Sequence, residues 1–273
     1  MLTIVMRSHP KTGAPVMRRC VLVSAQAAVL ALLLLPVRST HAQTTSLKLS
    51  SGSAVQGGSA SLSLSLNALA GSAPSSLQWT LSYMTSDIAS LTFTTGPALT
   101  AAGKWLNCRS GSGSARCLAT SMDANPINSG VVAVITVKLA PITSAPTVLL
   151  SIGDVAGALA GGTPLTVSGT GGGISILPTV SSVQCSPSRI LSRATSTCTV
   201  TLSAGKATGS STVTLAADDR ALAVPAAVSV AAGASSAIFR VKARSVTNSR
   251  SFTITASLNG VSATASLDVR ARK

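Results

Sequence analysis

Apolar side chains recur at every second position along most of this chain, and that spacing restricts its fold more than any other feature. The runs are Leu62, Leu64 and Leu66; Leu77, Trp79, Leu81 and Tyr83; Ala133, Ile135, Val137 and Leu139; and Val148, Leu150 and Ile152. Ile174 and Ile176 add a short one. A period of two sends successive side chains to opposite faces of a strand, one face buried and one solvated. Turn clusters separate the runs at Gly57-Gly58, Gly71 to Ser76, Gly111 to Ser114, Asn125 to Gly130 and Gly161-Gly162. Short strands with regular turn punctuation predict a β-sandwich or barrel. No segment shows a convincing helical period. The stretch Thr85 to Ala89 suits one turn between strands.

Gly171-Gly172-Gly173, the strand Ile174 to Leu177 and then Pro178 mark a boundary, because proline offers no N–H to a ladder. A second alternating series follows. It contains Val183 and Cys185; Cys198, Val200 and Leu202; Val213 and Leu215; Val228 and Val230; Ala237, Phe239 and Val241; and Phe252, Ile254, Ala256 and Leu258. Asn259-Gly260 is a strong hairpin signal, and it leads into Val261, Ala263, Ala265, Leu267 and Val269. About seven strands are the number expected of an immunoglobulin-like sandwich. The fold class is therefore all-β, with two β-sandwich domains in tandem after an N-terminal signal peptide. The expected boundaries are residues 1–42 for the signal, 43–177 for the first sandwich and 178–273 for the second.

The signal reading rests on charge followed by an apolar run. Arg7, Lys11, Arg18 and Arg19 precede an apolar stretch from Cys20 to Val37, and Thr40-His41-Ala42 offers small residues for a cut before Gln43. Charged start, apolar middle and small-residue exit are the marks of a secretory signal. A transmembrane anchor is the alternative, but Pro36 and Arg38 end the run early. Met17-Arg18-Arg19 would give a signal of more ordinary length, so translation can start at Met1 or Met17. No later stretch is long and apolar enough to span a bilayer as a helix. The remainder suits two domains of about 100–130 residues, each able to bury a core. The expected location is secreted, extracellular or cell-surface, with the periplasm as a further option.

Without Cys20, four cysteines remain in two local pairs, Cys108/Cys117 and Cys185/Cys198. An even count and an oxidising compartment favour two disulfides. Neither pair is spaced as a zinc ligand set, and both histidines, His9 and His41, precede the expected cut. Cys185 and Cys198 fall on the first two predicted strands of the second sandwich, so their bond ties the first strand to its neighbour. Cys108 and Cys117 bracket Arg-Ser-Gly-Ser-Gly-Ser-Ala-Arg, and that bond is expected to pinch a flexible loop.

Chemistry is restricted by what the chain lacks. Its acids are all aspartates, Asp87, Asp123, Asp154, Asp218, Asp219 and Asp268. Beyond the expected cut there is no histidine and no glutamate, so most bases that titrate near neutrality and most nitrogen ligands are missing. No serine has a histidine to activate it. The glycine-rich stretches fit no phosphate-binding pattern ahead of a helix. The chain is read as a protein that is not an enzyme and needs no cofactor or metal. Residues 43–178 hold five basic and three acidic groups, net +2, whereas residues 179–273 hold eleven and three, net +8. A basic module can associate with anionic polysaccharide, a membrane surface or nucleic acid. Its charges are scattered and not interleaved with aromatics, so nucleic acid is not an expected partner.

Trp79 lies in phase with Leu77 and Leu81 and is expected in the core. Trp105 follows Gly103-Lys104 and stands outside clear alternation, which makes it the candidate ligand contact, a ring able to stack on a sugar or a partner surface. Asp218-Asp219 would suit calcium only with more oxygen ligands nearby; without an acidic cluster, the pair reads as a solvated turn.

Two resemblances follow from particular residues. The segment from about Leu47 to Ile176 resembles a cohesin-type module, in the superfamily of cohesins and cellulose-binding β-sandwiches. Gly57-Gly58 before the strand Ala60 to Leu66 carries it, with Leu77-Gln78-Trp79-Thr80-Leu81-Ser82-Tyr83, Ile88, Leu91-Thr92-Phe93 and Val131 to Leu139. The turn Met84-Thr85-Ser86-Asp87-Ile88 lacks the proline of the family pattern. Residues 179–271 resemble a bacterial immunoglobulin-like repeat. The carriers are Cys185-Ser186-Pro187-Ser188, Cys198-Thr199-Val200-Thr201-Leu202, Leu222-Ala223-Val224-Pro225, Val228 to Gly233 and Ala256 to Val261. Together the resemblances imply an exported non-catalytic binding protein. Its first module would engage carbohydrate, in connection with polysaccharide breakdown, or a dockerin-like extracellular protein partner, and its second would be a spacer. The alternative is a structural or adhesive surface protein without a defined ligand. The oligomeric state is left open.

Overall fold

Small polar residues between the apolar ones let each alternating run bury one face, and the computed structural model turns these runs into strands. It describes residues 44–143, 145–203 and 209–272. The expected signal segment lies outside them, and so does Lys206, one of the basic residues counted above. Among the described residues, no helix is long and apolar enough to cross a membrane.

In the first part of the chain the strands are β1 (Ser46–Leu49), β2 (Gly52–Ala54), β3 (Ser59–Asn67), β4 (Ser76–Tyr83), β5 (Ile88–Thr95), β6 (Trp105–Gly111), β7 (Ser114–Thr120), β8 (Gly130–Leu139), β9 (Thr147–Ala158), β10 (Pro164–Leu165), β11 (Ser168–Thr170) and β12 (Gly172–Ile176). One sheet runs β11-β1-β3-β8-β5. The other runs β2-β12-β9-β4-β7-β6, with β10 paired to β9. The core between them holds Leu62, Leu64 and Leu66 of β3, Trp79 and Leu81 of β4, Ile135 and Val137 of β8, and Val148 and Leu150 of β9. These are the residues whose alternation the sequence displays.

The second part adds β13 (Val180–Ser186), β14 (Arg189–Leu191), β15 (Thr195–Leu202), β16 (Ser211–Ala217), β17 (Leu222–Ala223), β18 (Ala227–Val230), β19 (Ser236–Ala243), β20 (Arg250–Leu258) and β21 (Val261–Arg270). Its sheets run β13-β15-β19-β17 and β14-β21-β20-β16-β18. A separate core gathers Cys198, Val200, Phe239, Val241, Phe252, Ile254 and Leu267. The expected seven strands are present, and β14 and β17 are additions of three and two residues, too short to display a period. Asn259 and Gly260, at φ 50° and 80°, form the predicted hairpin turn between β20 and β21.

Two expectations need correction. A short helix, α1 (Pro97–Ala101), sits where no helix was expected. Proline at its first turn costs no hydrogen bond there, and five residues are too few to show a 3.6-residue period. The segment between Cys108 and Cys117 is not a flexible loop. It is the β6–β7 hairpin, with Arg109, Ser110 and Gly111 paired to Arg116, Ala115 and Ser114. Gly113 at φ 74° supplies the left-handed residue that lets the chain reverse.

Both disulfides are formed, Cys108–Cys117 and Cys185–Cys198. Each joins directly opposed residues of neighbouring strands, β6 to β7 and β13 to β15. Both β6 and β13 are edge strands of their sheets. The expectation that Cys185–Cys198 ties the first strand of its sandwich to its sheet neighbour agrees with this pairing.

Candidate functional site

The candidate site lies on the outer face of β6, β7 and β4, and the sequence Gly103-Lys104-Trp105 explains how it is presented. After α1, Gly103 turns the chain at φ 68°, and the Lys104 N–H donates to the Leu99 carbonyl at 2.9 Å. The Lys104 side chain is fully buried. Its ammonium has three N–H groups and uses them on Ser121 Oγ at 2.9 Å, the Asp123 carbonyl at 3.0 Å and Asp123 Oδ1 at 2.6 Å. Burying a cation is costly unless its donors are satisfied, and here they are. The Lys104 ammonium, followed by the Asn125 backbone N–H, holds the Asp123 carboxyl below its ordinary value. Strand alternation then turns the next residue outward, and the Trp105 ring is 62% exposed.

Trp105 opens a groove of about 610 Å³. Pairing fixes its lining. Trp105 lies opposite Thr120, Asn107 opposite Leu118 and Arg109 opposite Arg116. On the next strand Gln78 lies opposite Leu118, and Thr80 opposite Arg116. The inward residues Ala115, Cys117 and Ala119 are buried, so these partners share the outer face. Arg109 and Arg116 are both exposed and directly opposed. Like charges in that arrangement destabilise a sheet. Neither forms an ion pair among the described residues, whose ion pairs are Lys104–Asp123, Arg189–Asp268 and Arg250–Asp219. The adjacent pair of the ladder is the disulfide, with its Cα atoms 4.1 Å apart, so the backbones that carry the two arginines are held side by side.

The same sheet face carries a second groove, of about 840 Å³, lined in part by Ser82 and Ser151. Exposed Met84 and Leu149 and the backbone of Gly171 to Gly173 line it. A Cβ at Gly172 would strike the Ser50 carbonyl, so the smoothness of this groove follows from how closely β12 passes the chain before β2.

The remaining singled-out residues serve structure. Trp79 is fully buried on the inner face of β4, as its phase predicts, and its indole Nε1 has no hydrogen-bond partner among the described residues. Asp218 Oδ2 accepts from the Thr253 N–H, while Asp219 accepts from the Ala221 N–H and the Arg250 guanidinium. Those contacts, the Ala221 N–H first, keep the Asp219 carboxyl low and tie the turn to β20. Among the described residues, no group of three or more His, Cys, Asp or Glu is placed to hold a metal. In the second sandwich, Arg240 and Lys242 point outward from β19 beside the threonines of β15, so this face is basic but carries no aromatic ring.

The sequence singles out Trp105 and the cysteines but not Asn107, Arg109, Arg116 and Leu118, which the structure places in the same groove as Trp105. A signal existed. Once Cys108 and Cys117 are taken as opposed on a hairpin, the next residues inward, Arg109 and Arg116, must also face each other.

Solved structures to which this chain is similar include cohesins, each matching about half of this chain. The sixth cohesin of scaffoldin B from Acetivibrio cellulolyticus, in complex with a Cel5 dockerin mutant, is 18% identical with a TM-score of 0.44 and covers 50% of this chain and 100% of its own. The cohesin of a Clostridium thermocellum OlpA–dockerin complex is 13% identical with a TM-score of 0.45, over 50% and 100%. A non-cellulosomal cohesin from Archaeoglobus fulgidus is 14% identical with a TM-score of 0.42, over 50% and 92%. No family model and no curated protein matches the chain.

Proposed function

We propose that this is an exported, non-catalytic binding protein. Its first sandwich, residues 43–177, holds an extracellular polymer in the Trp105 groove, and its second, residues 178–273, is an immunoglobulin-like spacer. The observation that carries this reading is the Trp105 ring, 62% exposed on a strand that a disulfide fixes to its neighbour. A large aromatic surface kept in water costs solvation, and an exposed ring on a rigid strand offers contact area without ordering entropy. The groove also holds amide and hydroxyl side chains at Gln78, Asn107 and Thr120, which suit the many hydroxyls of a carbohydrate. Its volume falls in the range of ligand sites.

A glycan array and a capture experiment with extracellular proteins, both run on the chain and its Trp105→Ala variant, test the reading. Binding to a polymer that the substitution weakens about ten-fold or more supports it, since a buried aromatic anchor is commonly worth at least 2 kcal/mol. Capture of a dockerin-like module with the same dependence on Trp105 would keep the groove and change its occupant. Silence in both experiments would favour the structural or adhesive alternative.

A further inference from the structure

The opposed arginines narrow the chemistry of the occupant. We propose that the groove binds a polymer of uronic acid residues, the Trp105 ring stacking on one sugar and the Arg109–Arg116 pair receiving the carboxylate of another. This rests on the reading of the groove as a binding site and adds the charge and class of its ligand.

Three observations converge on it. Arg109 and Arg116 are exposed and directly opposed on the disulfide-locked hairpin, and neither is ion-paired among the described residues. An anion placed between them would pair with both. Guanidinium groups present forked donors that match a planar carboxylate. Trp105 and Arg109 are four residues apart on one strand, which sets them about 13 Å apart along the groove. That backbone spacing suits an oligomer or polymer whose charge and stacking face lie on different units. Between the two positions stand Asn107 and Gln78, amides that both donate and accept, and the floor at Leu118 is apolar. An acidic peptide would satisfy the arginines but offers Trp105 a stacking face only at occasional residues, whereas every unit of a uronic acid polymer carries both a carboxylate and a ring face. The favoured occupant is therefore the acidic glycan.

The neighbouring sandwich gives a built-in control. Arg240 and Lys242 are also exposed cations on one strand face, yet they lie among threonines with no aromatic ring. If net charge alone held the polymer, they would matter as much as Arg109 and Arg116.

Affinity electrophoresis of the purified chain through gels containing polygalacturonate, fully methyl-esterified pectin, a neutral glucan or poly-aspartate tests this. Polygalacturonate is expected to retard the chain. The esterified polymer, which has the same rings without the charge, is expected to bind about ten-fold more weakly or less, in line with loss of a charge-assisted bidentate contact. Arg109→Gln with Arg116→Gln should remove that advantage, whereas Arg240→Gln with Lys242→Gln should change binding less than about two-fold at physiological salt. The thermal midpoint of the first double variant should not fall, since a repulsive pair has been removed; this separates lost contacts from lost fold.

Equal retention of esterified and free polymer, with dependence on Trp105, would overturn the acidic ligand and leave the binding groove standing. Poly-aspartate binding as tightly as polygalacturonate, without dependence on Trp105, would replace the glycan with an acidic protein. Equal losses from the Arg109/Arg116 and Arg240/Lys242 variants would reduce the effect to bulk charge. No retention by any polymer, with no protein captured, would remove both the ligand class and the groove's function.

Discussion

The two sandwiches use one covalent device on two different edges. In each, a disulfide ties an edge strand to its neighbour through opposed residues, β6 to β7 and β13 to β15. Edge strands fray and invite pairing with other chains, so tying one down has a structural use by itself. On β13 the outward neighbours of the bond are Gln184 and Ser186, which are ordinary solvated residues. On β6 they are Asn107 and Arg109, with Trp105 two residues further out. The second edge is held for its own sake; the first is held together with a ring and two like charges that a looser hairpin would let drift apart.

The largest effects should come from the cores and should separate the sandwiches. Trp79→Ala and Phe252→Ala each remove a fully buried aromatic side chain, at a cost of about 3–5 kcal/mol. Near-ultraviolet and hydrogen-exchange measurements should show each substitution loosening its own sandwich. If either loosened both equally, treating the cores as separate would fail.

Next come the staples. Cys108→Ser with Cys117→Ser, and Cys185→Ser with Cys198→Ser, should each cost about 2–3 kcal/mol by the loop-entropy model, read from denaturant midpoints. The comparison sharpens in a second measurement, because only the first pair should also weaken polymer retention. Equal retention by both variants would mean that the hairpin needs no lock to hold its arginines.

Turn substitutions should be smaller. Gly113 and Gly260 sit at φ 74° and 80°, so alanine at either position should cost about 1–2 kcal/mol. The stapled β6–β7 hairpin should keep its register in amide exchange, while the unstapled β20–β21 turn should open more readily.

Acid should act through the carboxyls with lowered pKa values, Asp123 in the first sandwich and Asp219 in the second. A carboxyl whose folded value lies below its unfolded one adds stability above the ordinary carboxylate range, about pH 4. That stability is lost as the pH falls through the lowered folded values. Thermal midpoints should therefore drop on the acid side, and Asp123→Asn should flatten the part of the drop that belongs to the first sandwich.

The smallest stability changes, within about 0.5 kcal/mol, are expected for Trp105→Ala and Ile238→Ala, both exposed on outer sheet faces. Only the former should change retention by a polymer gel.

The strands that hold the cores were legible wherever the inward residues were large. In β3 and β4 the leucines and Trp79 face inward and serines or threonines face outward, so the period appears directly. In β6 and β7 the order is inverted: Trp105 and Leu118 face outward while Ala115, Cys117 and Ala119 face inward. Size then points the wrong way, and the serine-glycine tip reads as a loop. Ile127 was hidden for a similar reason. It lies in a segment rich in turn residues, yet it is fully buried and its N–H donates to the Pro74 carbonyl at 2.7 Å. Trp105 stands out as a candidate because it breaks the pattern, and the arginines do not, because their place beside it depends on register.

The two cross-strand bonds also have a mechanical meaning. Each withholds the chain between its cysteines from extension, over sequence separations of 9 and 13 residues. A fully extended chain advances about 3.3–3.6 Å per residue, so, less the Cα separations of 4.1 Å and 4.0 Å across the bonds, the closed segments hide about 27 Å and about 41 Å of reach. Pulled from its ends, the oxidised protein would come up roughly 70 Å short of its reduced form, and the tip of the β6–β7 hairpin, with Arg109 and Arg116, would stay closed after the strands around it had been drawn out.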